Sequence, residues 1–231
     1  MRAAVVLFPG SNREGDAVNA LRAAGIEASV VWHGEHGLPA GTDLAVLPGG
    51  FSYGDYLRCG AIAARSPIMD AVRGHAARGG LVLGICNGFQ ILAESGLLPG
   101  VLVRNADLRF VCQFQHLRVE RADTPFTSCY REAETIEVAI AHGEGNYTAD
   151  AETLVRIEGD GLVAFRYCDA QGQVKDGRGP NGSTNEIAGI YSPNFRVLGL
   201  MPHPENLIDP LVGGTDGLKM FESLAESLAS A

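Results

Sequence analysis

The first ninety residues alternate short, continuously apolar runs with amphipathic stretches, and few folds accept that pattern. The run 3–8 ends at a Pro-Gly-Ser-Asn turn. From Glu14 to Ala24, residues Ala17, Val18, Leu21 and Ala24 recur at helical spacing, and Gly25 stops the helix. Further strands are predicted at 27–32, 43–48 and 81–86, with helices over 67–78 and 87–94. Apolar strands separated by helices predict a mostly parallel sheet covered on both faces, an α/β fold. Such sheets place their sites at the carboxyl ends of strands. Two features fall there: the Gly49-Gly50 break and Cys86.

The second half is richer in strand patterns, at 116–121, 135–141, 153–158, 162–167, 187–191 and 197–201. They are expected to extend the sheet or to form a smaller antiparallel one. Residues 169–186 are polar and Gly-rich, which predicts a surface loop or long hairpin. An amphipathic helix is expected from Gly217 to Leu228. With 231 residues and no repeat, low-complexity tract or linker, the chain reads as a single domain over 1–231.

Charge and cysteines narrow the function. The balance of 18 Lys+Arg against 27 Asp+Glu gives −9, which disfavours nucleic acid as a partner. Five widely spaced cysteines form no C-x-x-C pair, so neither a zinc site nor a disulfide framework is expected. A reducing cytoplasm suits them. No apolar run approaches the ~20 residues of a membrane span. Neither G-x-x-x-x-G-K-[ST] nor an early G-x-G-x-x-G is present, which argues against ATP binding by those routes.

In Gly84-Ile85-Cys86-Asn87-Gly88 a cysteine sits where an apolar strand meets a helix, with glycines two residues to either side. A nucleophile on a sharp strand-to-helix bend needs small neighbours. The positive end of a helix favours an anion placed there. The Asn87 N–H would point to where an oxyanion forms. The pattern also permits a small buried cysteine of no chemical use. Met201-Pro202-His203-Pro204-Glu205 follows another apolar strand. In an extended segment stiffened by the prolines, His203 and Glu205 share a side, as a base and its orienting acid require. Gly50 could supply a second oxyanion N–H, or simply make a tight turn. Ala141-His142-Gly143-Glu144-Gly145 reads either as a loop for the amino-acid end of a substrate or as a glycine-rich turn with a surface histidine. Gln90, one turn after Cys86, faces the same pocket or solvent.

These phrases carry a resemblance. FPGSN (8–12), PGGFSYGDYLRCGAIA (48–63), GICNGFQIL (84–92), AHGEGN (141–146) and MPHPE (201–205) resemble the class I, triad-type glutamine amidotransferases. Among these the chain is most similar to small glutaminase subunits of purine biosynthesis. The resemblance implies a flavodoxin-like sheet with a smaller antiparallel sheet. It implies Cys86 as nucleophile, His203 as base and Glu205 as its orienting acid. It implies an oxyanion hole from the amides of Gly50 and Asn87, and a glutamine pocket along Gln90, His142 and Gly143. A cysteinyl thioester would form, and ammonia would pass to a larger synthetase subunit. That subunit uses ATP and Mg²⁺ to convert formylglycinamide ribonucleotide to its amidine, and a small third subunit joins the complex. No cofactor or metal is expected on this chain itself. Arg13 and Asn206 depart from the pattern, standing where many relatives carry cysteine and arginine. A γ-glutamyl hydrolase, a glutaminase of another pathway and a non-catalytic regulatory subunit are the competing expectations.

Overall fold

Strands buried on both faces organise the molecule. In this computed structural model, which describes residues 1–175, 177 and 179–230, a nine-stranded sheet runs in the order β2-β1-β3-β4-β11-β10-β9-β6-β7. Its first five members are β2 (Glu27–Trp32), β1 (Arg2–Leu7), β3 (Leu44–Leu47), β4 (Leu81–Ile85) and β11 (Val197–Leu200), and all are parallel. Every residue of β3 and β4 is buried, so helices must cover both faces there. α1 (Glu14–Ala23), α2 (Ile68–Ala77) and α3 (Asn87–Glu94) fill the early crossovers, and α5 (Leu218–Ala229) packs beside α1.

Beyond β11 the direction changes. β10 (Ile187–Tyr191), β9 (Val163–Tyr167), β6 (Val111–Val119) and β7 (Thr135–His142) continue the same sheet by antiparallel pairing. The smaller sheet is formed by two short strands absent from the sequence reading, β5 (Val101–Val103) and β8 (Asn146–Thr148). β7 ends the sheet but is not left open. His203 N–H donates to the Ala139 carbonyl at 2.8 Å, in an isolated antiparallel bridge between those residues. The antiparallel half thus curls until its last strand touches the end of the central one.

Two expectations need correction. Residues 153–158 are not a strand; they lie in α4 (Ala151–Gly159). The alternation of Thr153 to Glu158 suggested a half-buried strand. The Asp150 side chain decides otherwise by accepting the Thr153 N–H at 2.8 Å, an N-cap that starts a helix. Only Ile157 of that helix is buried. The stretch 169–186 is not wholly a surface loop. Asn181, Ser183 and Glu186 are buried, although Asp176 and Arg178 lie outside the described residues. Asn181 Nδ2 donates to the Gly145 carbonyl at 2.8 Å, and Ser183 Oγ donates to the same oxygen at 3.2 Å. These residues support the 141–145 loop from below.

Candidate active site

The three parallel strands β3, β4 and β11 end level with one another, since Leu47 pairs with Gly84 and Leu200 with Ile85. Gly50, Cys86 and His203 each follow one of those ends. Cys86 sits between β4 and α3 at φ 51° and ψ −106°. That left-handed conformation costs a non-glycine residue about 1–3 kcal/mol. The surroundings enforce it. The Cys86 N–H donates to the Leu200 carbonyl at 2.7 Å, and the Cys86 carbonyl accepts from Phe89 N at 2.9 Å and Gln90 N at 3.2 Å. The flanking glycines have a steric cause. A Cβ on Gly84 would lie 2.5 Å from Leu92 Cδ1, and one on Gly88 would enter the Leu47 carbonyl. The helix can therefore press against both strand ends only without those carbons.

His203 is 2% exposed. Its Nδ1 bonds Glu205 Oε1 at 2.6 Å, which leaves Nε2 for the neighbouring Cys86 sulfur. The geometry differs in one respect from the sequence expectation. Pro204–Asn206 is a 3₁₀ turn rather than extended chain, and the turn itself brings the carboxylate back to the ring. Burial lowers the pKa of His203, but the Glu205 and Cys86 charges outweigh it and raise the ring to about 10. An imidazolium is therefore favoured, flanked by the Glu205 carboxylate and the Cys86 sulfur. The Cys86 sulfur also lies 3.8 Å from the Ala141 carbonyl.

The oxyanion candidates are poised alongside. Gly50 has φ 151°, and a Cβ there would fall 2.6 Å from Ser11 Cα. Its neighbours are tied down: Phe51 N–H donates to Gly10 O at 2.9 Å and Asn12 N–H to Gly49 O at 3.4 Å. The Gly50 N–H has no acceptor among the described residues. Asn87 opens α3, so its N–H has no acceptor within the helix.

A cavity of about 260 Å³ opens beside Cys86 and is also lined by Gly50, Gln90, His142 and Gly143. Gly50, Gln90, His142 and Gly143 thus line the cavity with Cys86, Asn87 is the next residue in the chain, and Glu205 stands behind His203. His142 is buried rather than on the surface, and burial first, then the His203 charge, lowers its pKa to about 4. A second cavity of about 180 Å³ meets the first at Cys86 and reaches His203 and Arg13.

Sequence reasoning missed a polar relay. Asn87 Oδ1 accepts Ser52 N–H at 3.2 Å, Asn87 Nδ2 donates to Gln90 Oε1 at 2.8 Å, and Gln90 Nε2 donates to Glu144 O at 2.7 Å. This relay locks the loop after β3, the start of α3 and the loop after β7 into one frame. Its advance signal was two amides, Asn87 and Gln90, in the first turn of a mostly apolar helix.

A thiol on a strained bend, an imidazole beside it and a carboxylate behind the imidazole can attack and cleave an amide through a thioester. Residues 1–217 match the model of the CobB/CobQ-like glutamine amidotransferase domain, and the chain belongs to that family. It is 60% identical over 232 residues to the phosphoribosylformylglycinamidine synthase subunit PurQ of Bradyrhizobium diazoefficiens, covering 100% of both chains. Identity to the subunit of the same name from Rhodospirillum rubrum is 57% over 230 residues, covering 99% of this chain and 100% of the other. Among solved structures, PurLQS from Thermotoga maritima matches with a TM-score of 0.87 and 45% identity, covering 98% of each chain. The glutaminase domain of Trypanosoma brucei CTPS, at 13% identity and a TM-score of 0.62, shares the fold alone, over 98% of this chain and 94% of that one.

Proposed function

We propose that this chain is the glutamine-hydrolysing subunit of phosphoribosylformylglycinamidine synthase, with Cys86, His203 and Glu205 as its catalytic groups. The Cys86 sulfur attacks the glutamine carboxamide carbon. The oxyanion that forms is held by the amides of Gly50 and Asn87, donors of a kind typically worth about 10²–10³ in rate each. His203, protonated and held by Glu205, gives a proton to the departing ammonia, leaving a thioester. A water molecule, deprotonated by His203, then attacks the thioester, releasing glutamate and restoring the thiol.

Ammonia passes to the larger synthetase subunit, where ATP and Mg²⁺ drive conversion of formylglycinamide ribonucleotide to its amidine. A small third subunit completes the complex, this chain carries no cofactor of its own, and the assembly works in the cytoplasm. Full-length likeness to subunits of that name supports the pathway and the partners. The observation that carries the chemistry is the buried 2.6 Å contact of His203 with Glu205 beside a strained Cys86.

The test is Cys86→Ala in the assembled complex. Glutamine-dependent synthesis is expected to fall by about 10³-fold or more while synthesis from added ammonium persists. Glutamine-dependent turnover at the wild-type rate would end the proposal.

A further inference from the structure

The segment that follows Gly50 holds a conformation it would not keep unaided. Tyr53, Asp55 and Leu57 have φ of 54°, 57° and 71°, so residues carrying a Cβ sit repeatedly in the left-handed region. Such conformations persist only where the surrounding structure enforces them. Part of the restraint is backbone. Phe51 N–H donates to Gly10 O at 2.9 Å and Tyr53 N–H to Pro9 O at 2.6 Å, while Ser52 N–H donates to Asn87 Oδ1 at 3.2 Å.

A further restraint comes from a side chain that the chemistry at sulfur does not use. The Tyr53 hydroxyl lies 3.0 Å from His33 Nδ1 and 3.2 Å from Ser66 Oγ. Its ring meets the His33 ring edge-on, with centroids 5.6 Å apart. Both anchors are themselves fixed. His33 N–H donates to Leu7 O, at the end of β1, at 3.0 Å, and its carbonyl accepts Ile68 N–H, at the start of α2, at 3.2 Å. Ser66 is buried, and its N–H donates to Ala63 O at 2.9 Å. Gly50 stands at the other end of this segment and lines both cavities that meet at Cys86. A glycine does little to fix its own backbone, so the direction of its N–H depends on what holds the chain to either side.

We propose that Tyr53 is a positioning residue for glutamine hydrolysis: anchored on His33 and Ser66, its hydroxyl fixes the left-handed segment and so keeps the Gly50 N–H turned toward the oxyanion. This rests on the glutamine-hydrolysis reading. An oxyanion exists only once the carboxamide has been attacked, so the anchor bears on turnover rather than on substrate binding.

The assembled complex carrying Tyr53→Phe, which removes the hydroxyl and keeps the ring, is assayed for glutaminase turnover. Its kcat is expected to fall about tenfold, part of the about 10²–10³ that one oxyanion donor supplies, with KM within about twofold of wild type. Iodoacetamide alkylates a thiolate by displacing iodide and forms no oxyanion. Its rate at Cys86, mapped by mass spectrometry, is therefore expected to match wild type. An unchanged kcat overturns the inference, and so does a rise in KM alone. Alkylation that slows in step with turnover overturns it too, since that marks a general loosening of the site. Ser66→Ala removes one anchor and is expected to lower kcat by about threefold. Added to Tyr53→Phe it should lower kcat no further, because both changes break the same bond. An unchanged kcat in Ser66→Ala overturns the inference even if Tyr53→Phe does not fold. A wild-type complex without any glutaminase activity fails the functional reading itself, which separates the two failures.

Discussion

At the scale of the residue, Cys86 holds its strained bend because the positions two to either side carry no Cβ. The glycines beside Cys86 announced a bend, and each is explained by a clash that a Cβ would create. Arg13 and Asn206 were not legible. Both departures from the family pattern reach one atom: Arg13 Nη1 and Asn206 Nδ2 donate to Asp16 Oδ2 at 3.0 and 3.3 Å. They brace α1 against the turn after β11, a contact 190 positions apart that no local pattern encodes. His203 supports a prediction at this scale. Its folded pKa, about 10, lies above its ordinary 6.5, so its stabilising share is full below pH 6.5 and is lost as pH rises through about 10. Glu205→Gln removes the leading cause of that rise. The stability gap between wild type and Glu205→Gln, measured by denaturant unfolding, is expected to be constant below pH 6.5 and to narrow toward pH 10. A gap that widens with pH contradicts the pairing.

At the scale of elements, long apolar strands were read well because burial on both faces leaves no other pattern. Short ones were not: β5 and β8 have three residues each, too few for any period to show. The strand reading of 153–158 failed because one side-chain cap outranked a weak alternation. The loop 141–145 was recognised from its glycines, but what holds it was not. Asn105, fully buried, donates through Nδ2 to Arg109 O at 2.8 Å and His142 O at 2.9 Å, and its Oδ1 accepts Gly145 N–H at 3.0 Å. Asn105→Ala is expected to cost about 2–3 kcal/mol and to raise the KM for glutamine while the sheet persists. Thermal unfolding together with glutaminase kinetics measures both. A variant as stable as wild type with unaltered KM removes Asn105 from this role.

The whole molecule is a parallel half joined to an antiparallel half, and the join was only partly foreseen. The sequence showed that the second half was strand-rich. It did not show that four of those strands continue one sheet, because pairing partners such as Val119 and Phe165 lie far apart in the chain. The architecture predicts a gradient of protection. β3 and β4, buried throughout and paired on both sides, should exchange amide hydrogens only on global unfolding. β2 is an edge with Val30 and Trp32 each 49% exposed, and it should exchange sooner. Hydrogen exchange read by mass spectrometry checks this, and equal protection of β2 and β4 would contradict it.

The bridge between Ala139 and His203 has one more consequence. Translation delivers residue 86 well before residue 203, since 203 − 86 = 117 positions separate them. Until residues 203 and 205 leave the ribosome, the nascent protein carries a thiol with no imidazole beside it and no completed curl of strands around it. If the proposed roles hold, a copy made only as far as the thiol cannot hydrolyse glutamine until residues 203 and 205 have followed.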